Sequence, residues 1–235
     1  MLLLRMRALA LGLSCTVLVS CTAMPEVYDE PPDPRADQAL FRVTTLIQDR
    51  WQELVLRGRT EYQVTVHDGR LAIRARGRNS ASGLIREVEA DVMRCSRLAW
   101  SWRVDELQAA ADLHVKDSED VAASIFLLFG DPGFFALPDP VPTLRYVWTS
   151  AGHPVESVVD SPYLPGTVRS LVVRSGEQHL GEWVVESRNL LDDFRKAFGR
   201  APDDGLYAVA LFTDNDQTAQ PVTAFYEWIE LRCAQ

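Results

Sequence analysis

The sequence is short of positive charge. Its 24 lysines and arginines face 33 aspartates and glutamates, a net charge of −9, and no basic stripe interleaved with aromatics occurs along it. Phosphate backbones are held by clustered Lys and Arg, so nucleic acid is excluded as a partner. Histidine is scarce as well. The four, His67, His114, His153 and His179, lie far apart without zinc spacing such as His-Glu-x-x-His, and no close cysteine pair stands in for them. A Gly-x-Ser-x-Gly elbow is missing, which disfavours an α/β-hydrolase, and so is a phosphate-binding glycine loop. Serine and histidine can still meet in space, because triads ignore sequence order. No apolar run reaches the roughly 20 residues that span a bilayer.

What the N-terminus does hold is an export leader. Arg5 and Arg7 precede the apolar stretch Ala8 to Val19, which ends in Leu18-Val19-Ser20-Cys21. This resembles the bacterial lipobox: an aliphatic residue, a small one before the cut, then a cysteine whose thiol carries diacylglycerol. Residues 1–20 are therefore expected to be removed, with Cys21 as the lipidated N-terminus. Several acyl chains anchor firmly, at about 0.8 kcal/mol per buried CH₂. Thr22 stands where aspartate would retain an enterobacterial lipoprotein at the inner membrane, so the outer membrane is favoured. Loss of Arg5 and Arg7 moves the net charge from −9 to −11. Residues 21–37 then form a tether, in which Pro25, Pro31, Pro32 and Pro34 among Glu26, Asp29, Glu30 and Asp33 cannot build a core. One folded domain over 38–235 is expected to follow, since all-β domains commonly reach about 200 to 250 residues.

Of four cysteines, Cys15 leaves with the leader and Cys21 takes lipid. Cys95 and Cys233 remain, and in an oxidising envelope they suggest one disulfide pinning the last strand to a central one. Two buried free thiols are the alternative.

Beyond the tether, apolar residues recur mainly with period two. Leu71, Ile73 and Ala75 alternate with arginines; Leu98, Trp100, Trp102 and Val104 form one face, as do Leu206, Ala208, Ala210 and Phe212. Asp68-Gly69, Ser175-Gly176 and Asp204-Gly205 mark turns between runs. Val121 to Phe129 is an apolar run with Ser124 its one polar member, as a central strand buried on both faces would be. Only residues 189–199 break the pattern: Asn189 as N-cap, Asp192 in the first turn, Arg195 and Lys196 late and Gly199 as C′ residue define a short helix. The fold class is therefore all-β, a sandwich or jelly roll with one packed helix.

Several separated motifs, Thr60-Glu61-Tyr62, Ser80-Ala81-Ser82-Gly83-Leu84, Trp100-Ser101-Trp102-Arg103-Val104, the run from Lys116 to Ser124, Tyr146-Val147-Trp148, Glu186-Ser187-Arg188-Asn189, Phe198-Gly199 and Asp214-Asn215-Asp216-Gln217-Thr218, occur in an order that resembles the bacterial family called domain of unknown function 3047. The resemblance runs from Gln52 to Leu231 and implies an exported β-sandwich, reminiscent of carbohydrate-binding jelly rolls, with no established activity. It departs from the family pattern where Asp214 to Thr218 replaces a run of the type Asp-Thr-Asp-Asn-Thr.

Three sets of residues carry candidate chemistry. Asp214, Asp216 and Thr218 offer alternate oxygens for a structural Ca²⁺, although Ala219 and Phe225 stand where an EF-hand needs Gly and Glu; a hairpin turn capped by its own side chains is the other reading. No other cofactor is expected. Asp117 and Asp120 precede the central strand, and Glu186 with Arg188 ends another. Were Asp120 and Glu186 to face each other at about 5 to 9 Å, glycoside hydrolysis would be allowed. Tyr146 and Trp148 precede a turn-rich loop and can either line a sugar-stacking groove or fill the core. The reading adopted is a lipid-tethered, non-catalytic module binding a glycan or envelope component. A carboxylate-dependent glycan-active enzyme and a structural envelope protein are the alternatives.

Overall fold

The computed structural model describes residues 38–45, 50–133 and 140–233; the leader, Cys21 and the tether lie outside the described residues. In chain order the elements are β1 (Gln38–Arg42), β2 (Gln52–Arg57), β3 (Glu61–His67), β4 (Arg70–Arg76), β5 (Ala81–Ala90), β6 (Arg97–Glu106), β7 (Ala123–Phe129), β8 (Thr143–Thr149), β9 (Val158–Asp160), β10 (Val168–Ser175), β11 (Val184–Asn189), α1 (Leu190–Phe198), β12 (Leu206–Asp214) and β13 (Thr223–Arg232). They form two sheets. One runs β11-β6-β13-β4-β3 with β1 also on β13, the other β2-β5-β12-β7-β8-β10-β9. Pairing is antiparallel except between β8 and β10. The chain is thus an all-β sandwich with one short helix.

The inner faces meet in a core built around aromatic rings. Trp100 lies flat on Tyr146 across the sheets, with centroids 5.0 Å apart, and edge-on to Trp102 at 5.5 Å. All of these rings, and Trp148, are fully buried. Removing a large aromatic from water contributes on the order of 4 kcal/mol, so these four dominate the drive to close the sandwich.

The apolar run before Phe129 becomes β7, the fourth of seven strands in its sheet. Ile125, Leu127 and Phe129 enter the core, while Phe126 and Leu128 face outward and remain partly covered. The arrangement of β12 differs from strict alternation. A register shift between Leu206 and Ala208 puts Leu206, Val209 and Leu211 in the core, and Ala208 and Ala210 on the outer face with Ile85. One extra residue at a bulge flips every later side chain, so Leu206, Ala208, Ala210 and Phe212 do not share a face.

Local signals elsewhere hold. Asp68 and Gly69, at φ 51° and 77°, make the two-residue turn that joins β3 to β4. The Asn189 side chain accepts from the amides of Leu191 and Asp192, and Gly199 at φ 72° ends α1. Leu190, Phe194 and Ala197 are buried, and the helix packs on β10 and β11. Cys95 and Cys233 form a disulfide. Cys95 sits in the turn before β6 rather than in a strand, so the bridge closes the end of the β6–β13 ladder where Arg97 pairs with Arg232.

Candidate functional site: a charged recess and an acidic loop

A recess of about 350 Å³ opens between β10 and β11, at the sandwich edge, lined among others by Glu156, Arg174, Gln178, His179, Glu186 and Arg188. Pairing register explains how charges reach an inner face. Glu186 stands opposite Trp100 and Arg188 opposite Leu98 on β6, so both point toward the space between the sheets. The register shift between Val172 and Arg174 sets Arg174 opposite Trp148, on that same side. β11 is the last strand of its sheet and β9 pairs only with Arg169 to Leu171 of β10, so among the described residues no strand lies beyond Glu186, Arg188 or Arg174, and charged side chains there still reach water.

The charges compensate one another. Arg174 Nε donates to Glu186 Oε1 at 2.6 Å. Arg188 grips two carboxylates at once: Asp193 at 2.8 and 2.7 Å, and Glu156 at 2.5 and 3.1 Å. Lys196 donates to Glu156 at 2.7 Å. The Arg188 hydrogen bond, helped by Lys196 against partial burial, holds the Glu156 carboxyl down at about 2. Asp193, first among its partners, holds the Arg188 guanidinium charged more firmly than usual.

Tyr146 and Trp148 do not line this recess. Both are fully buried because β8 is an interior strand whose inner face meets Trp100 and Trp102. They support the recess from behind. Tyr146 donates to Asp193 Oδ2 at 2.7 Å, with burial first and the Asp193 charge second pushing its hydroxyl pKa well up. Trp148 donates to the Gly176 carbonyl at 3.2 Å, which pins the loop that carries Gln178 and His179.

Asp120 belongs elsewhere, and the structure does not pair it with Glu186. It is fully buried and accepts from the amides of Gln217 at 3.2 Å and Thr218 at 2.6 Å, and from the Thr218 hydroxyl at 2.5 Å. Single carboxylate oxygens of Asp120, Asp214 and Asp216 lie within 4.8 Å of one another. Thr218 thus serves Asp120, and Asp120 takes the third place in the acidic group. Asp214 Oδ1 accepts from the Val121 amide at 2.8 Å. Burial raises the Asp214 pKa well above the ordinary carboxylate value against the pull of Arg145, and burial with the neighbouring Asp120 raises that of Asp216. Asp117 is exposed in the short turn Lys116–Ser118 and lines neither place.

Residues missed by sequence reasoning are Glu156, Arg174 and Asp193. Asp193 carried a signal: a carboxylate between Leu190 and Phe194 on the apolar side of α1 needs a buried partner. Glu156 and Arg174 carried none, since only the bulge and the neighbouring loop bring them in.

The fold is a two-sheet sandwich with a polar, charge-lined depression at its edge. The chain belongs to the DUF3047 family, described as protein of unknown function, which it matches over residues 49–230. No curated protein matches it in sequence. Among solved structures it is similar to CtCBM11 (8% identity, TM-score 0.36, covering 79% of this chain and 90% of that one). It is also similar to the CBM22-1 xylan-binding domain of Xyn10C from Paenibacillus barcinonensis (13%, 0.35, 79% and 87%), and to the endo-1,4-beta-glucanase CelB2 (13%, 0.41, 80% and 94%).

Proposed function

We propose that this is a lipid-tethered envelope module that binds a glycan or a similarly hydroxyl-rich envelope component, without catalysis, in the recess between β10 and β11. The observation that carries the reading is the mutual pairing of the recess charges. Carboxylates, guanidinium groups, an amide and an imidazole alternate along one open depression, presenting both acceptors and donors as sugar hydroxyls require. Pairing keeps the groups in place before a ligand arrives, which lowers the cost of ordering them on binding. Glu156, held at about 2 by its partners, is charged near neutrality and serves there as an acceptor rather than a proton donor. The anchor at Cys21 would confine the search for ligands to components within reach of the membrane, with the outer membrane favoured.

The test is a glycan array probed with the whole protein, with Glu186→Gln and Gln178→Ala alongside. Retention of at least one glycan, weakened about tenfold by either substitution, is expected; about 1.4 kcal/mol corresponds to tenfold. Absence of any retained glycan sinks the reading. Release of reducing ends that stops in Glu186→Gln would move the assignment to a glycan-active enzyme. Incorporation of labelled palmitate that persists in Cys21→Ala would sink the lipid anchor.

A further inference from the structure

We propose that Asp120, Asp214 and Asp216 bind one Ca²⁺, which ties the chain entering β7 to the turn between β12 and β13. The three offer oxygens within 4.8 Å of one another, from two segments about a hundred residues apart in sequence. Asp120 and Asp214 are 0% and 7% exposed, and the Asp216 side chain is 7% exposed.

An acidic cluster alone would not carry this, but Asp216 adds a second observation. Its Oδ2 takes a contact of 3.4 Å from Arg57, whose own side chain is 67% exposed. Its Oδ1 is buried and has no hydrogen-bond partner. A buried carboxylate oxygen without a partner is costly and is seldom left so. Gln108, whose Nε2 donates to the Asp214 carbonyl, likewise leaves Oε1 buried and unpartnered.

Positive charge near the cluster is already engaged. Arg145 is held by Glu119 at 2.5 Å and by Ser170 at 2.8 Å, and Arg57 makes one long, exposed contact of little weight. Three carboxylates this close, with so little compensation, are stabilised by a hard cation. The donors are all oxygen, with neither histidine nor cysteine in the group, which selects Ca²⁺ over zinc. The hydrogen bonds that Asp120 accepts from Gln217 and Thr218 fix the loop around the site and leave lone pairs free, since each carboxylate oxygen can accept more than once.

Calcium chloride is titrated into the chelator-treated whole protein by calorimetry, with thermal unfolding followed in parallel and MgCl₂ as control. Saturable heat is expected, with Kd at or below about 10⁻³ M as for extracellular modules. A Tm rise of about 5 to 10 °C is expected once Ca²⁺ exceeds Kd a hundredfold, with a smaller rise in MgCl₂. Both signals should vanish in Asp216→Asn. No heat and no Tm rise in the wild-type protein would overturn the site, as would an undiminished rise in Asp216→Asn. The wild-type titration decides by itself where that variant does not fold.

Discussion

The aromatic interior and the charged recess occupy neighbouring positions of the same cross-strand rows. On the first sheet Trp100 is followed by Glu186 one strand outward; on the second, Trp148 is followed by Arg174. Both rows point between the sheets. What separates a dry tryptophan from a part-buried ion pair is one strand spacing, about 4.8 Å, with no strand among the described residues beyond β11 or beyond the Arg174 end of β10. The Arg174–Glu186 contact at 2.6 Å closes the gap between the sheets where aromatic packing stops. Side-chain direction is thus set by register, while chemistry is set by distance from the edge.

The strongest way to break this comparison is to remove an interior member. Trp100→Ala should destabilise by about 3 to 5 kcal/mol, the range for burying a cavity in place of a large aromatic, read from urea unfolding. A loss below about 1 kcal/mol would mean that Trp100 is not core. Next in size is Arg188→Ala. It strips both guanidinium contacts from Asp193, which is 6% exposed, and leaves the buried carboxylate still accepting from the Tyr146 hydroxyl. Breaking a buried pair from one side costs about 3 to 5 kcal/mol; the half-open position of Arg188 lowers the expectation to about 2 to 4 kcal/mol. A neutral Arg188→Ala would show that the recess is not held by this group.

The sequence made legible those parts that depend on neighbours along the chain. The helix was readable to its caps because Asn189 accepts from amides two and three residues on, and the Gly199 amide donates to the Arg195 carbonyl four residues back. The strand β7 was readable because a central strand, buried on its inner face and partly covered on its outer one, keeps an apolar run broken only at Ser124. The Cys95–Cys233 pair matches the expectation that these two are the cysteines left to the folded part. Failures came where one residue changes a phase. Bulges at β12 and β10 leave no mark in composition, so Ala208 and Ala210 moved to the outer face and Arg174 arrived unannounced. For Trp148 and Tyr146 groove and core stayed open, and the structure decides for core, since period two gives the face of a strand and not the rank of that strand within its sheet. Glu186 and Arg188 did come together in one recess, being two apart on a strand, while Asp120 joined Asp214 through a tertiary contact that no spacing encodes.

A smaller perturbation sharpens the link between interior and edge. Tyr146→Phe keeps the ring against Trp100 and deletes only the hydroxyl that donates to Asp193. A hydrogen bond to a charged group contributes about 1.5 to 3 kcal/mol, and Asp193 retains Arg188, so a loss of about 1.5 kcal/mol is expected from denaturant unfolding. Tyr146→Phe combined with Arg188→Ala should lose a different amount from the sum of the singles, because the two share a partner. Strict additivity would show that the aromatic interior does not support the recess.

The least effect falls on the outer grip of the same guanidinium. Glu156 is about half exposed, at 48% for the side chain, so Glu156→Gln should cost no more than about 0.5 kcal/mol, and less at high salt. Its signature is a pH dependence. A carboxyl whose folded pKa is depressed contributes stability above its unfolded value and loses it as pH falls through the folded one. For Glu156 that window runs from the ordinary 4.5 down to about 2. Wild-type stability should therefore decline across this range more steeply than that of Glu156→Gln, when both are followed by chemical unfolding at fixed ionic strength. Parallel curves would place Glu156 outside the pairing. A steeper wild-type curve would show that the Glu156 carboxylate is held by Arg188 and Lys196 in the folded protein.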